Sequence, residues 1–458
     1  MRNEIKKFFA IAMIALMAMV CRSAQVDRVL VRQQWPWNAE VRVEYVVSGA
    51  TNPAAVTFEF RNGGEVVPIS DATALKGDHL WAGNGTHVVT FDPRALFGPA
   101  APSEFTAFTA SVTLGAENAT MGDKLYRIVD LETGTVEDLV RGDFYNGKYG
   151  AYETAYNAID STFSTTLSDV LIWTDVTNNP IYRTTKMVLR RIQAENVEWL
   201  MGTNTPGVTL GTKAANIILA SPHLVKLTSD YYMGVFEVTQ MQYKKIMGSY
   251  SGSFKNEENY PDHEEYPASG IPYNTCRGKT KYWTVDGHEV LDGTYMAALR
   301  AKTGGTIAFD LPTEAQWEFA CRGGNYIPPL YSGKAYGINS LKELGWCSDN
   351  SESKIYVVGS KFPNAYGLYD MYGNVGEWCL DWSNAGDYAW TSKTEPEVDP
   401  QGLPFSSVTL TSSGNGNHIV RGGAYSLSRT IMHSAFRAKY DSSETGATLG
   451  FRVCCPAN

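Results

Sequence analysis

Sulfur, imidazole and concentrated positive charge are scarce in this chain. Its 458 residues hold 7 Cys and 7 His, and the His are scattered singly. No C-x-x-C pair and no H-E-x-x-H helix occur, which removes the regularly spaced zinc sites. A G-x-S-x-G elbow and a phosphate loop are missing too. Lys and Arg number 39 against 48 Asp and Glu, a net charge of −9 without any basic block. That balance offers no electrostatic footprint for nucleic acid. Long apolar runs are absent except Phe8–Val20, which follows Lys6 and Lys7. This run is too short to cross a hydrocarbon core of about 30 Å as a helix. With Cys21-Arg22-Ser23 behind it, residues 1–23 read as a signal peptide cleaved after Ser23. Lipidation through Cys21 is the alternative, although Val20 is bulkier than the residue usual before a lipidated cysteine. The mature protein is expected outside the cytoplasm, periplasmic or secreted, and not integral to the membrane.

What the chain does have is apolar and aromatic material. Apolar residues make up 43% and charged ones 19%, enough for sizeable cores. The 26 Tyr and 11 Trp suit either β-rich packing or a sugar- or peptide-binding surface. Cleavage leaves Cys276, Cys321, Cys347, Cys379, Cys454 and Cys455. Disulfides are permitted outside the cytoplasm, with the pairing open.

Residues 24–120 alternate in short runs, as in Val41–Val47, Val56–Phe60 and His87–Phe91, with turns such as Asn62-Gly63-Gly64 between them. Strands of this spacing predict an all-β sandwich. Residues 121–195 read as a β-rich bridging module, with strands near Leu125–Leu131 and Lys186–Ile192. From 196 to 458 the pattern changes to short helices and long loops. Thr239-x-x-Gln242 and Thr313-x-x-Gln316 are capping boxes that open two helices. Val238 is placed to staple against Tyr243. Gly248 and Gly323 supply C-terminal stops, and a third helix is expected over Tyr295–Lys302.

The densest chemistry lies in PNAYGLYDMYGNVGEWCLDW, from Pro363 to Trp382. No helical or alternating period survives there, which predicts a backbone held by turns and carbonyl contacts. Asp370 and Glu377 stand seven residues apart with Gly373 and Gly376 between them. Such a loop can wrap a hard cation, with carbonyls of Gly373 and Val375 beside the Asp370 and Glu377 oxygens, and calcium suits it better than magnesium. Arg421, Arg437 and Arg452 recur in later blocks. They either clamp an anionic ligand or brace the loops by pairing with Glu318, Asp370 or Glu377. A trio of Ser428, His433 and Asp441 carries no spacing signal for nucleophilic catalysis.

Together, DLPTEAQWEFACRGG (Asp310–Gly324), the Pro363–Trp382 stretch and HIVRGGAYS…FRAKY…LGFRV (His418–Val453) resemble the formylglycine-generating enzyme, or sulfatase-modifying factor, family. The resemblance implies an α+β, C-type-lectin-like fold for the C-terminal domain. It also implies a structural calcium at Asp370, Gly373, Val375 and Glu377. The family's oxidase converts a substrate cysteine to formylglycine with two thiols that bind copper(I) in the C-terminal loop. Here that loop, Arg421–Tyr440, contains no cysteine, and Leu427, Ser428 and Met432 fall where thiols belong. Met432 and His433 are poor replacements, because Cu(I) prefers thiolate, so copper is not expected. The sequence therefore predicts a calcium-braced, non-oxidase scaffold. Its binding cleft would involve Tyr425, Ser428, Met432, His433 and Arg437, and its partner would be a peptide, a glycan or an envelope protein. The alternative is an authentic formylglycine-generating oxidase.

Overall fold

The computed structural model describes residues 23–33, 38–102, 104–155, 170–202, 217–218, 222–253, 263–278, 289–323, 341–384, 395–412, 414–429 and 432–457. The expected signal peptide and Cys21 lie outside them, apart from Ser23. Among the described residues no helix is long and apolar enough to cross a membrane. The chain divides into two compact units, residues 1–124 with 140–150, and residues 125–139 with 151–458.

The first unit is built from two four-stranded sheets. One runs in the order Gln25–Gln33, Val41–Ser48, Gly85–Phe91 and Lys76–Gly77. The other centres on Ala54–Asn62, paired with Glu65–Val67, Trp81–Ala82 and Phe108–Glu117. Alternation decides which side chains enter the core: Val41, Val43, Tyr45 and Val47 point inward from one strand and meet Val56, Phe60, Val89 and Phe91. The Asn62-Gly63-Gly64 turn closes the tight hairpin to Glu65, with Gly63 and Gly64 both at positive φ.

In the second unit, the 121–195 stretch contributes strands to a larger sheet. Val136–Val140, Lys124–Asp130, Lys186–Ile192, Tyr231–Gly234 and Cys454–Pro456 form one five-stranded sheet in that order. A second five-stranded sheet runs Ile217–Ile218, Arg437–Asp441, Asn417–Arg421, Gly376–Ser383 and Leu449–Gly450. Three helices brace these sheets: α1 (Gln240–Met247), α2 (Tyr295–Lys302) and α3 (Glu314–Cys321). α1 and α3 begin in complete capping boxes at Thr239/Gln242 and Thr313/Gln316. Gly248 closes α1 in the left-handed conformation.

The strand Gly376–Ser383 corrects one expectation, because it lies inside the stretch that shows no period. All eight of its residues are buried. A strand covered on both faces has no reason to alternate, so its sequence is legible only as an apolar, Trp-rich run.

Candidate functional site

The loop ahead of that strand is fixed by backbone conformations that few residues tolerate. Asp370 and Asn374 both sit at φ 60, and Gly373 at φ 135, where a Cβ would lie 2.1 Å from the Trp346 carbonyl oxygen. Only glycine fits there. Asn374 then ties four segments together. Its N–H donates to the Trp346 carbonyl, its carbonyl accepts from the Tyr425 N–H, and its Oδ1 accepts from the Tyr356 N–H. Its Nδ2 donates to Glu237 Oε2 at 2.7 Å.

Glu237 is a participant that sequence reading missed. It also accepts from the Val375 N–H at 3.0 Å, and it has no solvent exposure. The only signal in the sequence is one carboxylate inside the apolar run Val235–Val238. Glu377, equally buried, accepts from Arg452 Nη2 at 2.7 Å and from Trp317 Nε1 at 2.7 Å. Arg452 also donates to the carbonyls of Gly234 and Tyr369. Asp370 accepts from the Gly359 N–H through Oδ2, while its Oδ1 is buried with no hydrogen-bond partner. Three interior carboxylates thus face one guanidinium. Burial first, then Asp370 and Glu377, drives Glu237 far above the ordinary carboxyl range. Burial pushes Asp370 up to about 6, against the opposing pull of the Gly359 N–H and Arg452.

A second ionic cluster surrounds α3. Glu314 binds Arg437 through both of its oxygens and lies 3.1 Å from Arg421 Nε. Glu318 binds Arg322 and Arg421 and accepts from the Gly202 N–H at 2.9 Å. Burial opposes ionisation of Glu318, but the two guanidinium groups outweigh it and hold the carboxyl below its usual range. Asp381 Oδ2 accepts from the Glu314 N–H at 2.6 Å. Burial, with Glu314 beside it, pushes this carboxyl up to about 8. Trp317 links the clusters, since its ring lies 5.6 Å from the Arg421 guanidinium and its N–H reaches Glu377.

These contacts place the expected site residues. Arg421 pairs with Glu318 and Arg452 with Glu377, as the bracing reading requires. Arg437 pairs with Glu314, a partner hidden in the sequence as an ordinary helix-N-terminal acid. The cleft drawn through Tyr425, Ser428, Met432, His433 and Arg437 needs correction. Arg437, Met432 and His433 are all buried, and Ser428 alone of the five is exposed. Tyr425 packs with Ile355 and Val375. Met432 is keyed between Gly373 and Gly423, whose missing Cβ atoms make its slot. His433 keeps both ring nitrogens unpartnered, and burial followed by Arg421 drives its pKa down to about 4.

Cys276, Cys321, Cys347, Cys379, Cys454 and Cys455 are buried free thiols. Burial pushes Cys321 up to about 12 and Cys379 far above the ordinary thiol value, so thiolate is suppressed. Among the described residues no three His, Cys, Asp or Glu side chains are grouped to hold a metal.

The two mixed sheets, short capped helices and interior Arg–carboxylate clusters define an α+β domain of mostly irregular backbone. The model of the sulfatase-modifying factor enzyme 1-like domain matches residues 192–456, more than half of the chain, and the chain belongs to that family. It is 27% identical over 252 residues to the chaperone protein LppX of Paenibacillus barcinonensis, covering 49% of this chain and 80% of that one. It is 32% identical over 114 residues to the formylglycine-generating enzyme of Thermomonospora curvata, covering 23% of this chain and 37% of the enzyme. The chain thus spans well under half the length of that enzyme. Among solved structures, Treponema denticola variable protein 1 is similar at 24% identity and a TM-score of 0.44, over 59% of this chain and 95% of that one.

Proposed function

We propose that the C-terminal domain is a calcium-braced binding scaffold acting outside the cytoplasm, without formylglycine-generating oxidase activity. The observation that carries this is Met432. It fills a glycine-walled slot in the loop where the family's oxidase carries a thiol, and a neutral thioether grips Cu(I) more weakly than a thiolate. No thiol is available nearby in reactive form, since every described cysteine is buried. A relative named for chaperoning rather than for oxidation is in keeping with binding as the main task.

Calcium fits the first cluster on charge and on donor chemistry. Burial and mutual repulsion push Glu237 and Asp370 toward their neutral forms beside Arg452, and a divalent cation at this place would favour their ionised forms. The buried, unpartnered Asp370 Oδ1 is an open ligand position. Glu377 already accepts from Arg452 and Trp317, but an ionised carboxylate has about four lone-pair sites. Among the described residues no three acidic side chains are grouped to hold a metal by themselves, so carbonyls of Gly373 and Val375 would complete the set with Asp370 and Glu377. Bound there, the ion supplies charge compensation and loop rigidity, with no part in chemistry. The partner is a peptide, a glycan or an envelope protein that meets the rim formed by exposed Ser426, Ser428 and Arg429.

The deciding assay incubates purified protein with a Cys-x-Pro-x-Arg peptide, copper and oxygen, followed by mass spectrometry. Unmodified peptide and about one calcium per chain support the scaffold. Aldehyde at enzymatic rates establishes the oxidase instead.

A further inference from the structure

The N-terminal sandwich contains an ionisable group whose surroundings specify its protonation state by geometry. His87, on strand Gly85–Phe91, places Nε2 2.8 Å from the Gly83 carbonyl oxygen and Nδ1 3.2 Å from Asp78 Oδ2. A carbonyl only accepts, and so does an ionised carboxylate. A neutral imidazole has one N–H to give, so both contacts are made only by the imidazolium. The carboxylate is itself committed to its charged form: burial opposes this, but the hydrogen bond and charge of His87, a bond from the Val88 backbone and nearby Lys148 outweigh it. Tyr45, directly across the sheet, stacks on the imidazole at 5.1 Å and donates its hydroxyl to the Asp78 carbonyl.

The two acceptors are the ends of one connection, Asp78–Asn84. His79, Leu80 and Trp81 lie between them, with Leu80 43% exposed. Backbone pairing holds part of this connection, with Trp81–Ala82 against Ala54–Ala55 and the Val56 N–H on the Leu80 carbonyl, and two side-chain clasps that do not titrate add to it. Asn146 accepts from the Leu80 and Trp81 N–H groups and donates to the Trp81 carbonyl. Asn84 exchanges two hydrogen bonds with the Ala50 backbone. Among these side-chain clasps His87 is the proton-dependent one.

We propose that His87 is a proton-operated clasp: protonated, it binds Asp78 and Gly83 together and tightens the 78–84 connection, and deprotonated, it releases one of the two and loosens that connection. A neutral ring has one N–H, keeps one of the two bonds, and turns the lone pair of its other nitrogen toward the remaining acceptor, which is repulsive. The other charges facing the imidazole come from the short helix Arg141–Tyr145 and just beyond it. Asp143 favours the cation, and Lys148 lies 3.5 Å from Asp143 and offsets part of its charge. Burial disfavours the cation, but Asp78 and the Gly83 carbonyl win and raise the pKa. The sign follows. The clasp is fully present below the ordinary histidine value of about 6.5, and it is lost as pH rises through the higher folded value.

The test is an NMR titration of the full chain labelled at histidine, with amide exchange read over residues 79–83. His87 is expected to titrate above about 6.5. Exchange, corrected for its intrinsic pH dependence, is expected to quicken about tenfold for each unit of that elevation. In Asp78→Asn the amide can donate to neutral Nδ1, so titration falls to or below the ordinary value and the pH dependence of exchange disappears. His87→Gln abolishes that pH dependence as well. Wild-type His87 titrating at or below about 6.5 overturns the clasp, and so does equal protection of 79–83 on both sides of its titration.

Discussion

Arg452 and Glu377 meet side by side in the interior, Nη2 2.7 Å from Oε1, and neither has any solvent exposure. They stand 75 residues apart in the chain. The guanidinium also closes the carbonyls of Gly234 and Tyr369, so one side chain ties the LGFR block to the first sheet and to the DMYGNVGE loop.

Removing that cation leaves Glu377, Asp370 and Glu237 with no guanidinium partner. Arg452→Met is expected to destabilise the C-terminal unit by about 3–5 kcal/mol, the usual cost of stranding a buried charge. Denaturant titration monitored by Trp fluorescence reads this directly. A loss below about 1 kcal/mol would mean that the pair does not brace the fold.

Gly373→Ala places a methyl 2.1 Å from the Trp346 carbonyl oxygen at positive φ. The backbone strain alone is on the order of 1–2 kcal/mol, and the clash adds to it. Gly293, at φ 78 with open space around it, is the control. Gly293→Ala is expected to cost only the conformational part. Equal effects at both positions would remove the packing argument for the Trp346 contact.

His433 makes the C-terminal unit sensitive to acid. Its folded pKa, down at about 4, is below the ordinary value of about 6.5, so the unfolded chain takes up the proton first as pH falls. The stability is whole above about 6.5 and is lost progressively down to about 4, by on the order of 3 kcal/mol at most. His433→Leu should flatten the stability profile across that window, as measured by thermal melts at stepped pH. A slope unchanged from wild type would place the acid sensitivity elsewhere.

Calcium removal is expected to lower the melting temperature of the C-terminal unit, and Asp370→Asn to abolish that dependence while the chain stays folded. Calorimetry with chelator and with added calcium checks both outcomes. An unchanged melting temperature after complete removal contradicts the brace.

The buried thiols are expected to resist an aromatic disulfide reagent in the native protein. All of Cys276, Cys321, Cys347, Cys379, Cys454 and Cys455 should then react in denaturant without reductant. Fewer reactive groups after unfolding would reveal disulfides.

Local chemistry was legible where one segment decides its own conformation. Both capping boxes, the αL stop at Gly248, the alternating sandwich strands and the helix at Tyr295–Lys302 follow from nearest-neighbour rules. The family blocks were legible as well, and bracing through Glu318, Asp370 or Glu377 was one of the two roles they left open for Arg421, Arg437 and Arg452. The cleft was not legible. Nothing in AYSLSRTIMHSAFR says that Met432 points inward to two glycines or that His433 is entombed, because that depends on walls contributed by Gly373 and α3.

The chain alone settled the two capping boxes, the Gly248 stop and the alternating faces of the sandwich strands, since hydrogen bonds over three or four residues and side-chain alternation are written in adjacent positions. Folding in three dimensions settled which charge meets which. Glu237 joins Asn374 across 137 positions and Arg437 joins Glu314 across 123. The reason is dielectric: a carboxylate reads the same in any sequence, and only removal from water makes its partner obligatory.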